Sequence, residues 1–61
     1  MYDISLVGST VQSARTIEEA HDKAATVSQG FPGRLVRIHG VDGWEVIAEY
    51  RNGVQEELVA L

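Results

Sequence analysis

Residues 34–51 read R-L-V-R-I-H-G-V-D-G-W-E-V-I-A-E-Y-R, and this stretch decides the fold. In its second half Trp44, Val46, Ala48 and Tyr50 alternate with Glu45, Ile47, Glu49 and Arg51, the period of two that marks a half-buried strand. In its first half Val36 and Ile38 share one side, and Leu35, Arg37 and His39 share the other. Two strands folded back about Val41-Asp42-Gly43 follow from that pattern. A two-residue turn at Asp42-Gly43 sets Arg37 and His39 beside Val46 and Ala48 and mixes the faces. A three-residue loop, Val41-Asp42-Gly43, pairs Gly40 with Trp44, Ile38 with Val46 and Val36 with Ala48, and keeps apolar with apolar. Gly43 then supplies the left-handed residue of a type I turn with a bulge. A slip of one residue would turn every side chain to the wrong face, so the three-residue loop is the expected connection.

Outward from the hairpin, residues 2–7 read as a strand, with Tyr2, Ile4 and Leu6 on one side and Asp3, Ser5 and Val7 on the other. Gly8-Ser9 is a turn signal, and Thr10 to Ala14 is expected to return as a short strand whose polar composition suits a sheet edge, with a simple loop as the alternative. Thr16-Ile17-Glu18-Glu19 has the form of a helix capping box. Beyond it Ile17, Ala20, Ala24, Val27 and Ser28 fall on one helical face, and Glu19 and Lys23 make a favourable pair one turn apart. A face built mostly of alanine lies close on a sheet with large side chains, for which Trp44 and Tyr50 are the natural complements. Gly30 ends the helix, Phe31 is expected to fold over the end of the core, and Pro32-Gly33 leads into the hairpin. Asn52-Gly53 signals a second hairpin turn. The segment from Val54 to Leu61 is then expected to be a third meander strand, with Leu58 reaching Val46. A short helix is the alternative, but eight residues nucleate an isolated helix poorly. The expected fold is α+β, in the order β(β)αββ with a short C-terminal strand or helix: one domain over residues 1–61, one helix on a small antiparallel sheet.

Composition narrows the function. A chain of 61 residues buries only about 60% of the surface it exposes when unfolded, so self-association is an available route to further burial. With no cysteine there is neither a disulfide nor a thiolate metal site, and two histidines alone do not build structural zinc. No metal or cofactor is expected. Charged residues make up 23% and hydrophobic ones 44%, the balance of a folded domain and not of a disordered one. No apolar run approaches the length of a membrane span, and the start of the chain lacks a basic region followed by an apolar segment. The expectation is therefore a cytoplasmic protein with no membrane contact. Five basic residues stand against nine acidic ones, a net charge of −4, which is the wrong balance for binding phosphate backbones.

Few residues carry the pattern of a reactive site. Glu18-x-x-His21 has a spacing that metal sites use, without the further ligands such a site needs, and His21 sits where an amphipathic ring is comfortable at the margin of the apolar face. His39 and Glu45 become cross-strand neighbours in the expected register and would resemble a base with its orienting carboxylate, though no Ser or Lys nucleophile is placed beside them. An ordinary cross-strand pair is the simpler explanation. No enzyme is expected. The face left uncovered by the helix carries Leu35, Arg37, His39, Glu45, Ile47, Glu49 and Arg51, with Leu35 and Ile47 as an apolar spot ringed by charge. That composition fits a protein contact, to a partner or to a second copy in a homodimer, and a sheet edge offers a second route. The other available function is a nucleic-acid accessory role through Arg34, Arg37 and Arg51, by analogy with folds that present such a sheet to DNA.

The segment T-I-E-E-A-H-D-K-A (Thr16 to Ala24), followed by L-V-R-I-H-G-V-D-G (Leu35 to Gly43), resembles an uncharacterised bacterial family, domain of unknown function 2188. Its members show a strand pair, a T-x-x-E-A helix and a strand reading L-V-I-H-G-x-D-G. The likeness covers about two-thirds of the chain. The chain departs from that pattern at its opening, where Tyr2 stands in place of a tryptophan, and in the strand after Asp42-Gly43. The resemblance implies a helix against a small antiparallel sheet and carries no activity.

Overall fold

A computed structural model describes residues 1–6, 9–42 and 45–56. The elements follow in the order β1 (Tyr2–Leu6), β2 (Ser9–Ala14), α1 (Ile17–Gly30), β3 (Val36–His39), β4 (Val46–Arg51) and β5 (Val54–Glu56). The strands form one sheet in the order β2-β1-β3-β4-β5, every pair antiparallel, and α1 packs against all five. The fold is α+β, with the one helix lying in the connection between β2 and β3.

Helix α1 starts where its sequence says it should. Thr16 is extended (φ −124°, ψ 159°) and its hydroxyl accepts the Glu19 N–H at 3.1 Å. The Glu19 carboxylate lies 3.1 Å from Lys23 Nζ. Ala20, Ala24, Val27 and Ser28 are buried, whereas Ile17, expected on the same stripe, is 37% exposed at the first turn. Small residues on α1 let it sit close over Ile4, Val36 and Ile38, which are wholly buried, with Ala48 and Tyr50 beside them. Trp44, the other expected complement, lies outside the described residues.

The expected strand from Thr10 to Ala14 is present as β2 and occupies the edge of the sheet. Asn52 (φ 55°) and Gly53 (φ 82°) both take the left-handed conformation between the paired residues Arg51 and Val54, the geometry of a two-residue hairpin turn. The strand expected after that turn exists as β5; the expected reach of Leu58 to Val46 falls outside the described residues.

Two expectations are corrected. Val36 pairs with Tyr50 and Ile38 with Ala48, two residues further along β4 than the three-residue loop requires. A shift of two keeps every side chain on its face, so alternation alone does not distinguish the registers. What fixes the observed one is the far end of β4: Asn52 Oδ1 accepts the Gly33 N–H at 2.9 Å, and the Gly53 N–H donates to Ser28 Oγ at 2.7 Å. The ladder then slips back by a bulge, and His39 opposes Val46, the pairing that strict alternation disfavours. Gly43, expected to close the loop in a left-handed conformation, lies outside the described residues. The second correction is Phe31, which stands 48% exposed instead of covering the core. The end of α1 is tied instead to the Asn52-Gly53 turn, through the Gly53 N–H and Ser28 Oγ.

Candidate functional site

The helix covers one face of the sheet, and the register lays out the opposite face row by row. One row runs Thr10, Ser5, Arg37, Glu49, Glu56 across all five strands. The next runs Ser13, Asp3, His39, Val46. Arg37, His39 and Glu49 thus come together on the uncovered face, as their alternation implied.

Ile47 leaves that face. It is the extra residue of the β4 bulge, between Val46 and Ala48, and it packs against the core cluster. A bulge re-aims a side chain in this way. The apolar spot expected from Leu35 and Ile47 is therefore divided: Leu35 is half-buried just before β3, and Ile47 is directed elsewhere. Glu45 is also not the residue directly across from His39. Its carbonyl accepts the Gly40 N–H at 2.8 Å, while the cross-strand partner of His39 is Val46.

Four charges on the face are paired with one another. Glu49 and Glu56 oppose one another directly, a destabilising arrangement by itself. Arg37 Nε lies 2.8 Å from Glu49 and Arg51 Nε lies 3.4 Å from Glu56, so each carboxylate has its own cation. Both arginine side chains remain about half exposed, with relative exposures of 50% and 46%, and such pairs add little to stability.

A contact that alternation left unassigned joins the two rows. Ser5 Oγ and His39 Nε2 share a hydrogen bond of 2.8 Å, and Ser5 is only 7% exposed. His39 Nδ1 is buried and has no hydrogen-bond partner among the described residues. Asp3, directly across from His39, accepts instead from Ser13 Oγ at 3.4 Å. Nucleophile–base pairing in acyl transfer uses these two atom types, but it also needs an orienting group on the second ring nitrogen and free N–H donors for an oxyanion. Here Ser5 sits in mid-strand with a sheet partner on each side. The pair is suited to holding β1 and β3 together. Asp3 and Ser5 were readable as one side of the first strand; that they share a face with Arg37 and His39 required the strand order.

His21, from the Glu18-x-x-His21 pattern, is engaged in packing. Its Nδ1 lies 2.6 Å from the Tyr50 hydroxyl, and the rings meet edge to face with centroids 5.6 Å apart. Burial, and then the nearby Asp22 carboxylate, push the Tyr50 hydroxyl above its ordinary value. Among the described residues no group of three or more His, Asp or Glu is placed to hold a metal ion. No helix described is long and apolar enough to cross a membrane.

No protein-family model, no curated protein and no solved structure matches the chain.

Proposed function

We propose that this domain is a non-enzymatic interaction module that binds a protein, either a partner or a second copy of itself, through the sheet face opposite α1. The observation that carries this is the asymmetry of the sheet: one face is covered by the helix, and the other presents an organised cross-sheet row on which no described element packs. Leu35 and Val46 are the half-buried apolar members of that face, and Arg37, Glu49, Arg51 and Glu56 form a polar rim of internally paired charges. A near-neutral rim of that kind selects the register of a protein contact and contributes less to its affinity. A nucleic-acid role through Arg34, Arg37 and Arg51 is less favoured, because phosphates would have to displace the carboxylates of Glu49 and Glu56 against a net charge of −4. An enzyme built on His39 is less favoured again, given a buried Ser5 and an Nδ1 with no partner among the described residues.

The test is a pull-down of the tagged protein from native extract, with and without nuclease, alongside a Leu35→Lys/Arg37→Glu variant. A protein recovered stoichiometrically in both extracts and lost with the variant supports the open face as the contact. Recovery only from untreated extract overturns the proposal in favour of nucleic acid. Recovery unchanged by the variant moves the contact off this face.

A further inference from the structure

The edge formed by β2 has a geometry that selects its own partner. Gly40 donates its N–H to the Glu45 carbonyl at 2.8 Å, so its backbone polar groups turn towards β4. Along a strand these groups alternate in direction, so Arg37 and His39 turn theirs towards β1, where Ser5 and Asp3 face them. Ser5 and Asp3 are then directed away from β2. The residues opposite them there, Thr10 and Ser13, turn their own N–H and C=O outward, to the unpaired side of the sheet. Lys23 Nζ bonds the Ser13 carbonyl from that side at 2.7 Å, leaving its second lone pair available.

In a regular edge strand the outward residues are every second one. In β2 the pairing steps from Ile4–Gln12 to Ser5–Thr10, so Val11 is an extra, bulged residue and Thr10 and Ser13 stand three positions apart. An ordinary extended segment is therefore out of step with this edge, which is how bulges usually keep edges unpaired. One strand is not out of step: a second copy of β2. Laid antiparallel about a two-fold axis between Val11 and Gln12, it sets its Ser13 against Thr10 and its Thr10 against Ser13. Each pair exchanges both backbone hydrogen bonds, and the two side chains of each pair, a threonine and a serine, meet on the open face. No residue of Ser9–Ala14 is charged, so the two-fold arrangement opposes no like charges along the strand.

We propose that the β2 edge is a self-pairing surface and that two copies of the chain join through it into one continuous ten-stranded sheet. This goes beyond the open-face proposal and does not depend on it, since a β2-paired dimer leaves both open faces uncovered on the same side.

The experiment is a dilution series by sedimentation equilibrium, combined with amide hydrogen exchange at low and high concentration. The expected result is a mass that rises from monomer to dimer as the Thr10 and Ser13 amides become protected. Thr10→Pro removes an outward N–H that β1 does not use, and is expected to weaken the dimer about tenfold or more by deleting two of the four bonds. If that variant does not fold, Val11→Lys serves instead: Val11 is 44% exposed beside the axis, and the change puts two like charges together there. A monomer at millimolar concentration overturns the proposal. So does a dimer whose Thr10 and Ser13 amides exchange as fast as in dilute solution, or one that Val11→Lys leaves intact. Association broken by Leu35→Lys/Arg37→Glu and not by these variants belongs to the open face.

Discussion

Ser28 is a serine in the buried face of a helix, and removing its hydroxyl tests what fixes the register of the sheet. It is 0% exposed; its Oγ donates to the Ala25 carbonyl at 2.9 Å and accepts the Gly53 N–H at 2.7 Å. Ser28→Ala leaves the Gly53 amide without its acceptor. An unsatisfied buried donor costs about 1–3 kcal/mol, and Gly53 is only partly buried, so water recovers some of that. Alanine is the better helix former by roughly 0.5 kcal/mol, which offsets a further part. The expected net loss is about 1–2 kcal/mol. For a domain of this length total stability is on the order of 3–9 kcal/mol, so the change is large, and the melting temperature should fall by about 5–15 °C. Urea titration followed by circular dichroism measures the loss, and hydrogen exchange of the Gly53 amide locates it. A variant as stable as the parent, or one in which Gly53 exchange does not accelerate, refutes the idea that the bond to Ser28 anchors the end of β4.

The neighbouring positions yield further expectations. Gly53→Ala forces an alanine to φ 82° with its Cβ 2.6 Å from Gln29 Cγ; the flexible glutamine can swing away, so the loss, read by thermal melting, should be about 1–2 kcal/mol from the backbone alone. Thr16→Ala removes the cap on Glu19 N and should cost about 1 kcal/mol in the same assay, while Thr16→Ser should not. Tyr50 has a hydroxyl held above its ordinary value by burial and then by Asp22, so folding favours its neutral form. Its contribution is therefore complete below the unfolded tyrosine value and is lost as pH rises through the folded one. Stability measured by urea titration should decline in the alkaline range, and Tyr50→Phe should make that decline shallower.

Much of the fold was legible because it rests on local signals that agree with one another. The Thr16 cap, the alanine stripe from Ala20 to Ala24, the Asn52-Gly53 turn and the alternation of Val36 and Ile38 each point to one conformation without help from the rest of the chain. The same alternation placed Arg37, His39 and Glu49 on the uncovered face. What it left open was distance along the strand. Registers that differ by two residues satisfy a period-two pattern equally, and the bonds that choose between them, from Gly53 to Ser28 and from Gly33 to Asn52, join segments far apart in sequence. Phe31 was misplaced for a related reason: a large apolar residue just past a helix end carries no local signal of whether it folds back, and here it is 48% exposed.

The two bulges differ in how visible they were. Val46-Ile47-Ala48 is a run of three apolar residues inside an alternating strand, and a strictly alternating strand with one wet face has no use for the middle one. That excess is the signature of a bulge: Ile47 is turned against the core beside Ala48, and Val46 is left opposite His39. Reading the run as a break in the pattern would have removed Ile47 from the candidate interface. The bulge at Val11 has no such signature, because Ser9, Thr10, Gln12 and Ser13 are polar on either face and one extra residue among them changes no pattern of burial. A strand that is weakly specified by hydrophobicity is free to carry an irregularity set by its neighbours. The β2 edge is thus the part of the molecule where sequence says least and backbone geometry most. Thr10 and Ser13 become the pair to substitute first, ahead of any charged residue on the face.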